Sequence, residues 1–241
     1  MSDDPWDAHA DWWQREFTDG ADAEYQEQIL PLAIDLLSGR GRVIDIGTGE
    51  GQVARELSAA GVESVVGVDA SGNQVMEAVR RGGGATYAKA RADCLPVASE
   101  AFDGAIACLV FEHITEMDQA IAEVGRVLCK GGRFVLMLNH PLLQTPGSGW
   151  IDDHVLDPPE QYWRVGPYLV ESIVEEEVRK GVEVTFVHRP LNRYVNAMAG
   201  VGLFIEHMIE PSPPSGFLER APEYTEAASM PRLLVLVASK R

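Results

Sequence analysis

Val43-Ile44-Asp45-Ile46-Gly47-Thr48-Gly49-Glu50-Gly51 is the stretch from which the rest of the chain can be read. β-Branched residues flank one carboxylate over its first four positions, a strand-like composition. Three glycines follow at alternate positions, and then Gln52-Val53-Ala54-Arg55-Glu56-Leu57, which reads as the first turns of a helix. A strand, a glycine turn and a helix start together present free backbone N–H groups to a ligand. Glycine permits positive φ there and lets a ligand lie against the backbone. The spacing is G-x-G-x-G rather than the G-x-G-x-x-G usual for dinucleotides, and no G-K-[ST] follows to grip phosphates. Taken alone, the cluster also fits an ordinary tight turn.

Downstream, the acids and turns recur at regular distances. Ser64-Val65-Val66-Gly67-Val68-Asp69 reads as a second buried strand ending in an acid. An acid at that tip, about 20 residues beyond the glycines, is placed to accept hydrogen bonds from ribose hydroxyls. Asp69 could instead cap the following helix, a role that Ser71 fits better. Helix Gln74–Arg81 ends in Gly82-Gly83-Gly84, and residues 85–90 form a third strand. Arg91-Ala92-Asp93-Cys94-Leu95-Pro96 follows it. A fourth strand spans 102–109, with Val110-Phe111-Glu112-His113-Ile114 at its carboxyl edge, where open α/β sheets bind ligands. A helix from Met117 to Leu128, then Lys130-Gly131-Gly132, lead into a fifth strand, Arg133 to Leu138.

This series, residues 43–138 in register, resembles the class I S-adenosylmethionine (SAM) methyltransferases, whose first motif reads hhDhGxGxG. The resemblance implies an α/β, Rossmann-like sheet of seven strands with helices on both faces. Its order would be 3-2-1-4-5-7-6, the seventh strand antiparallel. It implies S-adenosyl-L-methionine as cofactor, with Asp93 reaching the adenine amino group and the backbone after it facing a ring nitrogen. The implied cofactor-binding set is Tyr25, Asp45, Gly47, Thr48, Gly49, Gly51, Asp69, Ala70, Asp93, Cys94, Leu95 and Leu109.

With 241 residues and 46% hydrophobic composition, one domain with a full core is expected. A net charge of −17 disfavours nucleic acid and anionic membrane partners. Cys94, Cys108 and Cys129 form no C-x-x-C and no zinc spacing, so reduced thiols in a cytoplasmic protein are expected. The acidic N-terminus does not read as a signal peptide, and no apolar run has membrane-spanning length.

Within that single domain, residues 1–38 read as a helical lid and 41–138 as the cofactor-binding core. Residues 139–188 read as a substrate cap inserted after strand five, and 189–241 as the rest of the sheet. Trp6, Trp12, Trp13 and Phe17 mark the first helix, and Asp22–Leu37 the second, with a kink or restart at Pro31. The cap is turn-rich, with Trp150, Tyr162, Trp163 and Tyr168 interspersed, and predicts a hairpin about Lys180-Gly181. Leu191–Ala199 reads as a helix, and Leu203–Ile209 and Pro231–Ala238 as the last strands.

Methyl transfer needs mainly alignment and water exclusion, since the cofactor supplies the activated methyl. An imidazole would serve where a proton must be removed. His113, His140, His154 and His188 are the candidates, each with a structural alternative; His140 and His154 are assigned the role. Asp152-Asp153-His154 invites a metal site, but dense oxygen ligands are common in loops and no metal is assigned. The expected partner is a small-molecule methyl acceptor whose identity, like the oligomeric state, the residues leave open. The alternatives are an NAD-linked oxidoreductase and a non-catalytic binding protein on the same fold.

Overall fold

Hydrophobic runs too short for helices become the central strands. The computed structural model describes residue 16 and residues 22–179, 182–220 and 226–241. Its main sheet contains β1 (Arg42–Ile46), β2 (Ser64–Asp69), β3 (Thr86–Lys89), β4 (Phe102–Cys108) and β5 (Leu128–Asn139), completed by β10 (Leu203–Ile209) and β11 (Leu233–Lys240). The order is β10-β11-β5-β4-β1-β2-β3, which is 3-2-1-4-5-7-6 when only these seven strands are counted. β3, β2, β1, β4 and β5 run parallel, and β11 pairs antiparallel with both β5 and β10.

Parallel strands covered on both faces need side chains that are apolar on both faces. β5 shows this: Phe134, Leu136 and Leu138 enter one core layer, and Val135 and Met137 the other. The first layer is closed by α4 (Met117–Val127) and α5 (Leu191–Gly200) through Ile121, Val124, Tyr194 and Met198. The second is closed by α1 (Leu30–Leu37) and α2 (Gln52–Ala59) through Ala33, Leu37, Ala54 and Leu57. Helix α3 (Gly72–Arg81) connects β2 to β3.

Several boundaries differ from the expected ones. Helix α4 stops at Val127 and β5 starts at Leu128, because Lys130-Gly131-Gly132 is absorbed into the strand as an irregularity in its pairing with β4. β11 starts two residues later than expected, at Leu233. The restart at Pro31 takes the form of a π-helical turn, Tyr25–Ile29, whose closing bond runs from Leu30 N–H to the Tyr25 carbonyl. Pro31 then falls in the first turn of α1, where its missing N–H matters least.

The segment between β5 and α5 is more ordered than its turn-rich sequence implies. It holds two hairpins: β6 (Gly149–Asp153) with β7 (Glu160–Arg164), and β8 (Ser172–Arg179) with β9 (Val182–His188). The second was expected, although its Lys180-Gly181 turn lies outside the described residues. The first is set by Trp150 facing Trp163 across the ladder, their rings 5.5 Å apart and perpendicular. A short helix, α6 (Ser215–Leu218), precedes β11. Trp6, Trp12, Trp13 and Phe17, on which the first lid helix was read, also lie outside the described residues. Among those described, no helix is long and apolar enough to cross a membrane.

Candidate active site

The glycine loop leaves β1 and is held against β2. Gly47 and Thr48 both donate N–H to the Val68 carbonyl, at 2.8 and 2.9 Å. Gly47 has φ 72°, and a Cβ there would collide with Val110. Gly49 has φ 55°, and a Cβ there would project into open space. Gly51, φ 84°, instead packs under Tyr87: a Cβ would come within 2.5 Å of the phenol oxygen. The three glycines therefore do different jobs, and Gly51 is a packing residue rather than a wall of the cleft.

Two acids organise the loop. Asp45, 1% exposed, accepts a 2.6 Å hydrogen bond from Thr48 Oγ1. Burial pushes its carboxyl up to about 7, the Thr48 hydroxyl opposing and the nearby Asp69 reinforcing that rise. Asp69 accepts the Gly49 N–H through one oxygen and the Ser71 N–H through the other, both at 2.8 Å. Ser71 caps α3 by accepting the Gln74 N–H at 3.2 Å, so the capping role falls to it.

Above the carboxyl ends of β1, β2 and β4 lies a two-lobed cleft. Tyr25, Asp45, Gly47, Thr48, Gly49, Asp69, Gln74, Cys108, Leu109, Val110 and His113 contribute to one lobe, a cavity of about 100 Å3. The other, about 220 Å3, shares Gly47, Asp69 and His113 and extends past Ala70 and Asp93 to Glu183, Val184 and Thr185 of β9. Asp93 is paired through both oxygens with Arg91, each bond 2.9 Å, which draws its carboxyl below the ordinary range. Cys94 and Leu95 do not reach the cleft. Cys94 is exposed, and the Leu95 N–H is taken by Glu123 of α4 at 2.7 Å while its side chain enters the core.

The floor beneath the first lobe is unusual in its backbone and its polar pair. Leu109 has φ 54°, a left-handed conformation that costs a branched residue free energy. It is held there by its N–H to the Met137 carbonyl, at 2.9 Å. Beside it lie the buried Tyr25 hydroxyl and Cys108 thiol, and burial pushes both groups upward.

Of the described histidines, His113 is the one that lines the cleft, and it borders both lobes. Its Nδ1 lies 2.8 Å from the Thr185 carbonyl, which can only accept, so Nδ1 carries the proton. The ring also packs against Phe186, centroids 4.7 Å apart. Arg189 fixes the turn that carries it, donating to the carbonyls of Phe111 (3.2 Å), Ile114 (2.6 Å) and Thr115 (3.0 Å). His140 and His154 are placed elsewhere. His140 is 8% exposed, accepts the Leu142 N–H through Nδ1 and donates from Nε2 to Glu210 at 2.8 Å. His154 is exposed just beyond β6. His188 is bonded to the Tyr168 carbonyl. No group of three or more His, Cys, Asp or Glu among the described residues is arranged to hold a metal ion.

His113 was legible as a candidate, because it follows β4 at the ligand-binding edge. The contribution of Glu183, Val184 and Thr185 was not, since nothing local in β9 signals that it packs against the turn after β4.

Comparison with known proteins gives consistent matches. A family model described as a methyltransferase domain matches residues 44–136. A ubiquinone/menaquinone biosynthesis C-methyltransferase of Syntrophotalea carbinolica is 37% identical over 42% of this chain and 45% of its own length. A demethylmenaquinone methyltransferase of Thermobifida fusca is 30% identical over 62% of this chain and 67% of its own. The chain spans about half the length of several such curated relatives. A crystal structure of an S-adenosylmethionine dependent methyltransferase from Mesorhizobium loti superposes with TM-score 0.77 at 29% identity, covering 92% of this chain and 99% of the other.

Proposed function

The chain belongs to the class I SAM-dependent methyltransferases, and from that premise we propose that it transfers the SAM methyl group to a small-molecule acceptor. The observation that carries this reading is the meeting of both cleft lobes at Gly47, Asp69 and His113. In this reading Asp69 binds the ribose hydroxyls, as an acid at the tip of β2 can. The lobe beyond it takes the adenine, with Asp93 giving up part of its Arg91 pairing to meet the amino group. The lobe over Gly49, Thr48 and Tyr25 takes the methionine part.

Bound there, SAM would supply an activated methyl and a neutral thioether leaving group, the acceptor's electron pair replacing the carbon–sulfur pair, which would stay on sulfur. Where the acceptor carries a proton, His113 is the base we assign: with Nδ1 protonated toward Thr185, the imidazole lone pair is on Nε2. This moves the role from His140 and His154, which do not line the cleft. Alignment in a dry cleft supplies most of the remaining acceleration, up to about 7–11 kcal/mol in favourable cases.

The curated relatives are named for quinone methylation, which makes a ring carbon one acceptor to test. Family membership removes the nicotinamide alternative, and measured turnover separates an enzyme from a binding protein. The net charge of −17 disfavours nucleic acid as acceptor, and three unpaired cysteines fit a reducing, cytoplasmic setting. The test is calorimetric titration with SAM on wild type and Gly49→Val, followed by transfer of labelled methyl to candidate acceptors. Gly49→Val should fold and lose SAM binding; wild-type affinity in that variant would overturn the site.

A further inference from the structure

Glu50 stands between Gly49 and Gly51 in the glycine loop, and only 1% of its side chain is exposed. Two arginines meet its carboxylate there. Arg55, in the first turn of α2, reaches Oε2 through Nη2 at 2.6 Å and donates through Nη1 to the Glu50 carbonyl. Arg81, the last residue of α3, reaches the same Oε2 through Nε at 3.2 Å. That nitrogen also lies 2.8 Å from Oε1 of Glu77, one turn back along α3. Both arginine side chains are themselves largely buried.

The chain makes room for this cluster. Gly82-Gly83-Gly84 follows α3, and a Cβ on Gly83, φ 87°, would come within 2.6 Å of Arg55 Cγ. Burying charges is costly, and a buried ion pair is commonly no more stabilising than apolar side chains of the same volume. Stability of the domain is therefore a poor account of the cluster, and its effect on the loop is a better one. Gly47, Gly49 and Gly51 all take positive φ, and glycine loses more conformational freedom on ordering than any other residue. The Val68 carbonyl and the Asp69 carboxylate hold the loop to β2 through backbone N–H groups. Glu50 adds a hold of another kind, tying the same loop to α2 and to the far end of α3.

We propose that Glu50, Arg55 and Arg81 are positioning residues, an ionic latch that holds the glycine loop in its cofactor-binding shape before SAM arrives. The proposal rests on the methyl-transfer reading above and deepens it. A loop already held loses less conformational freedom on binding, so the latch acts on SAM affinity through the order of the loop.

The test is backbone amide hydrogen exchange in the absence of SAM, beside calorimetric titration with SAM. The Gly47, Thr48, Gly49 and Gly51 N–H groups are all hydrogen-bonded, so their exchange reports opening of the loop. In Glu50→Gln these amides should exchange about tenfold faster, while Val135 and Leu136 in the central strand β5 keep wild-type rates. The Kd for SAM should rise about tenfold in the same variant. Arg81→Gln should act in the same direction, and the double variant should do little more than either single one, because residues of one network are not additive. If Glu50→Gln does not fold, Arg81→Gln, at the end of α3, carries the same expectations. Exchange that rises equally in β5 would make the cluster a stabiliser of the whole domain and overturn the proposal. So would weaker SAM binding with unchanged loop exchange, which would make Glu50 a direct contact from the cleft it borders. Normal SAM affinity and normal loop exchange in the folded variants reject the latch and leave the methyltransferase site standing, whereas no SAM binding to wild type rejects that site itself.

Discussion

Asp69 Oδ2 accepts the backbone N–H of Gly49 at 2.8 Å. The acid at the tip of β2, which we propose binds ribose, thus also shapes the glycine loop. With its other oxygen on the Ser71 N–H, Asp69 joins the β1 loop to the start of α3 on either side of the cleft.

Replacing Asp69 by Ala should therefore weaken SAM binding on two counts, lost ribose contacts and a looser loop. We expect a loss of about 2 kcal/mol or more, roughly 30-fold, the scale for hydrogen bonds to a charged group. Asp69→Asn, which retains one acceptor oxygen, should fall between. Calorimetry on folded protein decides this, and an unchanged Kd in Asp69→Ala would contradict the assignment.

The raised carboxyl of Asp45 has a pH signature. Its folded value is about 7 against an ordinary 3.8, because burial disfavours the charge. As pH rises from about 4 toward 7, the unfolded chain releases this proton first, so Asp45 contributes stability below that window and loses it progressively across it. The difference between wild type and Asp45→Asn in denaturant melts should accordingly move in favour of the variant as pH rises from 4 to 8. A difference curve that is flat with pH would show that Asp45 ionises normally.

Leu109 offers a test that separates strain from function. Leu109→Gly relieves a left-handed backbone, worth roughly 1 kcal/mol or more, and removes a side chain from the cofactor lobe. Thermal stability should change by no more than a few degrees, while SAM affinity falls about tenfold, near 1.4 kcal/mol. A large drop in melting temperature with unchanged affinity would make Leu109 a core residue only.

His113→Ala should lower single-turnover rates at least tenfold, about 1.4 kcal/mol in barrier, once an acceptor with a dissociable proton is in hand. His154→Ala should leave the rate intact. His140→Ala should reduce stability, by losing its bond to Glu210, and leave the rate near normal. Equal rates in wild type and His113→Ala would leave positioning alone as the account of catalysis.

The parts of this protein that could be read from sequence are those governed by local pattern. Strands β1 to β5, the glycine loop, and the acids Asp45, Asp69 and Asp93 are signalled by hydrophobic runs and by residues at strand ends. What escaped depends on partners far along the chain. The Leu95 N–H looks free until Glu123, on a later helix, is seen to accept it. The pairing of Gly149–Asp153 with Glu160–Arg164 has no tight-turn signal, and it is fixed by two tryptophans meeting across the ladder. His113 gains its orientation from a carbonyl 72 residues away, a distance at which sequence spacing carries no information.

The contact between β9 and the turn after β4 bears on how such proteins can be recombined. Thr185 orients His113, Arg189 holds three carbonyls of the turn that carries it, and Glu183 and Val184 border the lobe we assign to adenine. Residues 139–188 are thus not a detachable specificity cassette. A chimera that imported another enzyme's segment would exchange part of the wall we assign to the nucleotide with it, so acceptor preference and cofactor affinity should be inherited as one trait. Grafts that end before β8 would keep the two separable.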